Sequence, residues 1–420
     1  MAAAVAVVVL ASCTAATGRK AEDPRTTTIN KVESLLSRRD GALDAGNVAG
    51  YLAPLSAEAR EAERGLAEGA VRTSLESKDL KLIRSSIKSA GSLLKDVRVD
   101  FSYRYKGLPA DNEFRVPLIY ELKVVGPTVQ ITSARLDQGA RLPVWAVGPV
   151  TTVNSEHFVA IFRPGRIASE RALKVAEKAR QQLISRLTFP LEPSYLLIMA
   201  RNRVEYEQMT SQSSPASAIA QAETSFEVSR DSIKVRSRQI VVNLEKVFQE
   251  ESSEEVFRHE LGHLALAQDT RPFTPAWVSE SAAMYLAGTR PVDLWRSGIR
   301  TRRFEQISYV TLNRASTLGQ DDATGVAASY EYAYSAAAAW YLVETFGADK
   351  YWQFYRSYAA VPASKLYESL PTGRIATEGE EKVVTLAEET TGPSLRDAFG
   401  LDETQLDIKV REWIRSTSRG

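Results

Sequence analysis

Residues 259–263 read His-Glu-Leu-Gly-His, in a chain that holds only three histidines. The pattern constrains the fold because it gains meaning only on an α-helix, where positions i and i+4 lie on one face. There His259 and His263 bring two imidazoles to one point and can share a Zn²⁺, with Glu260 beside the open coordination position. The same residues could instead be two core histidines on an amphipathic helix. The flanks favour a helix: Ser252 and Ser253 are good N-caps, and Glu254 and Glu255 complement the positive end of the macrodipole. Val256, Leu261, Leu264 and Ala265 supply a face to bury.

The chain has 420 residues, enough for two or three domains. With 44% hydrophobic and 25% charged residues it is ordinary for a globular protein. A formal net charge of +1 leaves no footprint for nucleic acid. The local basic stretch from Arg296 to Arg303 reads as a solvated face.

The single cysteine, Cys13, excludes an intrachain disulfide. Ahead of it, residues 2–11 form an apolar run too short to span a bilayer and suited to the core of a signal peptide. Leu10-Ala11-Ser12-Cys13 resembles a bacterial lipobox. The resemblance implies lipidation at Cys13 and an extracytoplasmic protein anchored to the cell membrane, with 1–13 as signal peptide and lipobox. A diacylated cysteine carries two chains, enough for stable anchoring. No Lys or Arg precedes the apolar run, which departs from the usual signal, and a plain secretory signal with an incidental cysteine is the alternative. Residues 14–26 are small and polar and read as a flexible tether.

From Thr27 onward the pattern is that of an α+β protein. Ile29, Val32, Leu35 and Leu36 have helical spacing, Asn47 and Gly50 mark a turn, and a second helix is expected over 57–71. Residues 97–105, 114–124 and 129–131 alternate with period two, as half-buried strands do. Helices followed by antiparallel strands over 27–155 resemble the NTF2-like, cystatin-type fold in element order. Such a fold either holds a ligand in the concavity of its sheet or serves as a spacer. A second unit is expected over 156–420. It opens with a strand at 157–162, a turn at Pro164-Gly165 and a helix from Ser169 to about Leu187. A nearly all-apolar, central strand follows at 195–199, then a flexible loop over 209–224 and a strand at 239–243. That last strand is expected at the edge of a cleft, where it could pair with an extended substrate.

After the histidine motif, Trp277-Val278-Ser279-Glu280 offers a carboxylate on a second helix, which the turn from Asp269 to Pro275 allows to fold back. The combination resembles the gluzincin metallopeptidases, the peptidase MA-like and M1-like groups, over about residues 156–360. It implies a thermolysin-like domain with a small mixed sheet and a helical subdomain. It also implies zinc on His259, His263 and Glu280, and Glu260 as the base that activates a water against a peptide or protein substrate. The family often has Gly where this chain has Ser281, and some relatives are acidic where it has Met284. His157, at a strand start, is the competing third ligand. The segment Tyr332 to Gly347 resembles the helix that follows the transition-state tyrosine of the family. The match points to Tyr332, with Tyr334 a close competitor; both could equally be packing residues. The competing function is a catalytically silent, peptidase-fold binding or scaffold lipoprotein of the cell envelope. A third is zinc-dependent hydrolysis of another amide, such as one in the cell wall.

Overall fold

Apart from the ends and several connections, the computed structural model describes most of the chain: residues 23–73, 75–164, 168–187, 189–210, 219–247, 253–291, 307–314, 318, 326–369 and 377–417. Cys13, the signal-like segment, residues 14–22 of the tether, Ser252 and Arg296–Arg303 lie outside the described residues.

Helix α1 (Pro24–Asp44) begins inside the segment read as a tether. Proline at the first helical position loses no needed donor, and the Asp23 carboxylate accepts the Thr26 N–H at 3.4 Å. Helices α2 (Val48–Leu52) and α3 (Ala57–Arg72) follow, the latter capped by Ser56 Oγ accepting from Ala59 N at 3.2 Å. The first sheet is antiparallel, in the order β1 (Leu75–Leu82), β2 (Leu93–Tyr105), β3 (Phe114–Val125), β4 (Thr128–Leu136). β1 is not foreshadowed by hydrophobic alternation, since Leu80 is its one buried residue; it is a polar edge strand. The short helix α4 (Val144–Val147) seats the fully buried Trp145 against α3. Gly65 and Gly69 permit this approach: a Cβ on either would lie 2.3 or 2.2 Å from the carbonyl oxygens of Ala146 and Trp145.

The second sheet is mixed and runs in the order β5 (Thr151–Asn154), β6 (Phe158–Phe162), β7 (Tyr195–Ala200), β9 (Ile233–Asn243), β8 (Ala220–Val228). β6, β7 and β9 are parallel, linked by α5 (Ala168–Ile184) and α6 (Arg203–Met209), whereas β5 and β8 run antiparallel to their neighbours. Because β5 pairs with β6, the second sheet already begins at Thr151, ahead of the expected division at 155/156. Two further expectations are corrected. Residues 239–243 belong to an interior strand with β7 on one side and β8 on the other. The edge is β8, which starts inside the segment read as a loop; its small and polar residues hid a strand that is only half buried.

Residues on the central strands alternate between two cores. Phe158, Ala160, Tyr195, Leu197, Met199, Ile240 and Val242 face the helices of the second unit. Val159, Ile161, Leu196, Ile198, Ala200 and Val241 face the other way, into the core of the N-terminal unit. Burial on both faces is the physical reason these strands read as continuous apolar runs. The helical layer comprises α7 (Leu244–Val247), α8 (Ser253–Ala265), α9 (Ala276–Ala287), α10 (Tyr309–Leu312), α11 (Val326–Phe346), α12 (Ala348–Ser357), α13 (Ala363–Ser369), α14 (Thr377–Phe399) and α15 (Glu403–Thr417). Leu406, Val410 and Ile414 of α15 belong to the same core as α8 and α9, and α15 packs on α10 and α11, of which α11 covers α9.

Candidate metal centre

The histidine motif lies on α8, which presses Phe257, Leu261 and Leu264 into the core and leaves both imidazoles half-buried on the opposite side. The hydroxyl of Ser253 donates to the Val247 carbonyl. Helix α9 runs antiparallel along α8. Contacts pair Glu255 with Thr289, Arg258 with Ala287 and His263 with Glu280. Gly262 lets the helices meet this closely, since a Cβ there would stand 3.3 Å from Ala283 Cα. α9 is in turn fixed by Trp277, fully buried, whose Nε1 donates to Asn313 Oδ1 at 2.7 Å and whose ring lies 4.6 Å from that of Tyr309.

This packing brings His259, His263 and Glu280 together. The two Nε2 atoms are 3.1 Å apart, and Glu280 Oε2 lies 3.0 Å from His259 Nε2 and 3.3 Å from His263 Nε2. Oε2 is buried and makes no hydrogen bond of acceptable geometry. Three ligand-type atoms thus converge on a common point, and the triangle has the size a tetrahedral ion requires. Ligand bonds of about 2.0–2.1 Å imply edges of roughly 3.3 Å. Two imidazoles and one carboxylate are also a known donor set of catalytic zinc. The residues present fit the ion.

Electrostatics tie the three groups together. Burial alone would lower the His259 pKa, but the Glu280 carboxylate, with Glu260 and Glu255 further off, raises it to about 9. For Glu280, burial would raise the carboxyl; His263 and His259 outweigh it and hold it far below the usual carboxylate range.

Glu260 is buried beside the cluster, and its Oε2 accepts the backbone N–H of Ala222 on β8 at 2.5 Å. This contact with the edge strand has no counterpart in the sequence reading, since any residue type can donate a backbone N–H. Tyr332 and Tyr334 both lie well within α11, which begins at Val326, and not in a loop at its start. The Tyr334 hydroxyl is committed to Asp407 Oδ1 at 3.0 Å, and its ring stacks on Tyr309 at 4.6 Å. Tyr332 lies within the field of the cluster: the Glu280 charge, then burial, then Glu260 push its hydroxyl well above the ordinary tyrosine value. His157 lies apart, held at the start of β6 by Glu177, whose carboxylate meets His157 N at 2.9 Å and Nδ1 at 2.8 Å. Ser281, where the family often has Gly, is fully buried, its Oγ donating to Val278 O at 2.8 Å and meeting Tyr351 Oη at the same distance.

No protein-family model matches the chain, and no curated protein or solved structure matches it at a significant level.

Proposed function

We propose that this chain is a zinc metallopeptidase of the thermolysin-like gluzincin kind. In this reading an NTF2-like N-terminal unit precedes the peptidase domain, and lipidated Cys13 anchors the protein outside the cytoplasmic membrane. The observation that carries the catalytic reading is the convergence of His259, His263 and Glu280, with Glu260 next to His259 on α8 and Tyr332 within the field of Glu280 and Glu260.

In this reading the three converging residues hold zinc. Bound there, the ion supplies a Lewis acid that lowers the pKa of water and polarises a scissile carbonyl. Glu260, oriented through its bond to Ala222, takes the proton of the attacking water and returns it to the leaving amine. Tyr332 stays protonated across the working pH range and donates to the developing oxyanion, the charge that most needs stabilising. β8, the last strand of its sheet among the described residues, offers backbone groups to an extended peptide.

The test is a peptide-library assay on zinc-loaded wild type and Glu260→Gln, with metal analysis of both. Wild type should cleave. The variant should keep its zinc and lose activity by about 10²–10⁴-fold, the usual worth of a general base. Undiminished turnover by the variant removes Glu260 from the mechanism. A fully loaded wild type that cleaves nothing returns the chain to the binding or scaffold reading. Anchoring is tested separately: Cys13→Ser should release the protein from membranes, and unchanged membrane partition sinks the lipobox.

A further inference from the structure

β7 meets β9 only from Gln239 onward, so the stretch Ile233–Arg238 extends past it as a two-stranded arm with β8. A loop from the N-terminal unit fills the place β7 leaves vacant. Asn112, 3% exposed, pairs its side-chain amide with the Arg238 backbone: Oδ1 accepts Arg238 N–H at 2.9 Å and Nδ2 donates to Arg238 O at 3.3 Å. Glu113 N donates to Arg236 O at 2.8 Å, so the loop mimics a missing strand. Charges extend the contact. Arg236 pairs with Glu113 and, at 2.9 Å, with Glu227 of β8; Arg115 reaches Glu227 at 3.5 Å and Asp100 at 3.2 Å; Arg238 pairs with Asp111 at 3.4 Å. The arm leads straight into the site, because Thr224, opposite Arg238, is next but one to Ala222, whose N–H holds Glu260.

We propose that the segment Asp111–Arg115, the end of the loop and the first residues of β3, is a positioning clamp, through which the N-terminal unit holds β8 where Ala222 orients Glu260. The inference rests on the peptidase reading for its catalytic consequence, but not for its geometry. Two hydrogen bonds to a buried backbone are worth most where water cannot replace them, and the Asn112 amide is the only group in the loop that supplies both. A site built on a mobile arm loses rate steeply, since a misplacement near 1 Å costs up to about 10²-fold.

The experiment compares full-length, zinc-loaded wild type, Asn112→Ala, Asn112→Asp and Glu113→Gln by hydrogen exchange of residues 220–228 and by kcat per bound zinc. Asn112→Ala should speed exchange across 220–228 and lower kcat per zinc by about tenfold. Asn112→Asp keeps the acceptor but sets a buried carboxylate oxygen against the Arg238 carbonyl in place of the donor, so it should speed exchange at least as much as Asn112→Ala, and Glu113→Gln should show the smallest change. Tyr51→Phe removes a buried hydroxyl bond in the N-terminal core at 2.7 Å. It should lower Tm while leaving kcat per zinc at the wild-type value, which separates positioning from general destabilisation. Unchanged exchange over 220–228 in Asn112→Ala overturns the clamp, and so does faster exchange with undiminished kcat per zinc. A wild type without turnover counts against the peptidase reading alone, and the exchange data still decide the clamp.

Discussion

Two of the charged clusters among the described residues, one in each unit, are built differently. In the N-terminal unit Arg39 lies between Glu63, Tyr51 and Tyr120, all four almost fully buried. Its guanidinium donates to Glu63 Oε2 at 2.5 Å, to Tyr120 Oη at 3.0 Å and to Tyr51 O at 3.1 Å, and it sits 3.9 Å over the Tyr51 ring. A permanent cation meets its carboxylate there, and burial, which would lower the Arg39 pKa, is outweighed by Glu63. The cluster at His259, His263 and Glu280 has no permanent cation. Its members are of metal-ligand type, and the buried Glu280 Oε2 has no hydrogen bond. Buried charge that neutralises itself is architecture; lone pairs converging on one point are an arrangement that could hold a cation.

The comparison yields graded expectations. The largest effect should come from Arg39→Ala, which strands the Glu63 carboxylate inside a core; such breaks cost about 3–5 kcal/mol. Urea unfolding measures it, and a loss below about 1 kcal/mol would show the cluster to be dispensable. Next, Glu280→Ala should weaken zinc binding by at least about 10²-fold, while His157→Ala leaves it unchanged. Metal titration with the reverse ranking breaks the assignment of ligands.

A smaller effect is expected from pH. In the metal-free protein the His259 pKa is raised to about 9 from an ordinary 6.5. The pairing with Glu280 therefore adds stability that is fully present below pH 6.5 and is lost as pH rises through about 9. Zinc-loaded protein should lack this loss, because binding displaces the proton. Melting curves between pH 6 and 10, with and without metal, compare the two forms; a flat metal-free profile removes the coupling. The smallest change belongs to Gly262→Ala. Helix propensity gains up to about 1 kcal/mol, and the 3.3 Å approach to Ala283 takes much of it back by pushing α9 outward. Stability should barely move while zinc affinity falls slightly, since Glu280 rides on α9.

How far the sequence was readable differs between the same two regions. In the N-terminal unit, periodicity located α3 and strands β2 to β4, because each is amphipathic against a single core. It missed β1, whose polar edge position leaves Leu80 alone to mark it. At the candidate metal centre, His259 and His263 were legible because helix geometry alone puts positions i and i+4 on one face. Trp277, three residues before Glu280, pointed to that carboxylate only by resemblance; the indole is fully buried and packs α9 into the core.

By itself the sequence determined what depends on near neighbours: helix periods, caps, strand alternation and the histidine pair. Strand order was decided elsewhere. β9 is rich in apolar residues on both faces, yet nothing local told whether it ended the sheet or lay inside it, and β8 took the edge. Three further features arise from contacts far apart along the chain. They are the antiparallel approach of α9 to α8, the covering of the second sheet by the N-terminal unit, and the bond from Ala222 to Glu260. Each is selected by how whole faces bury against one another, a collective term that no short window of residues contains.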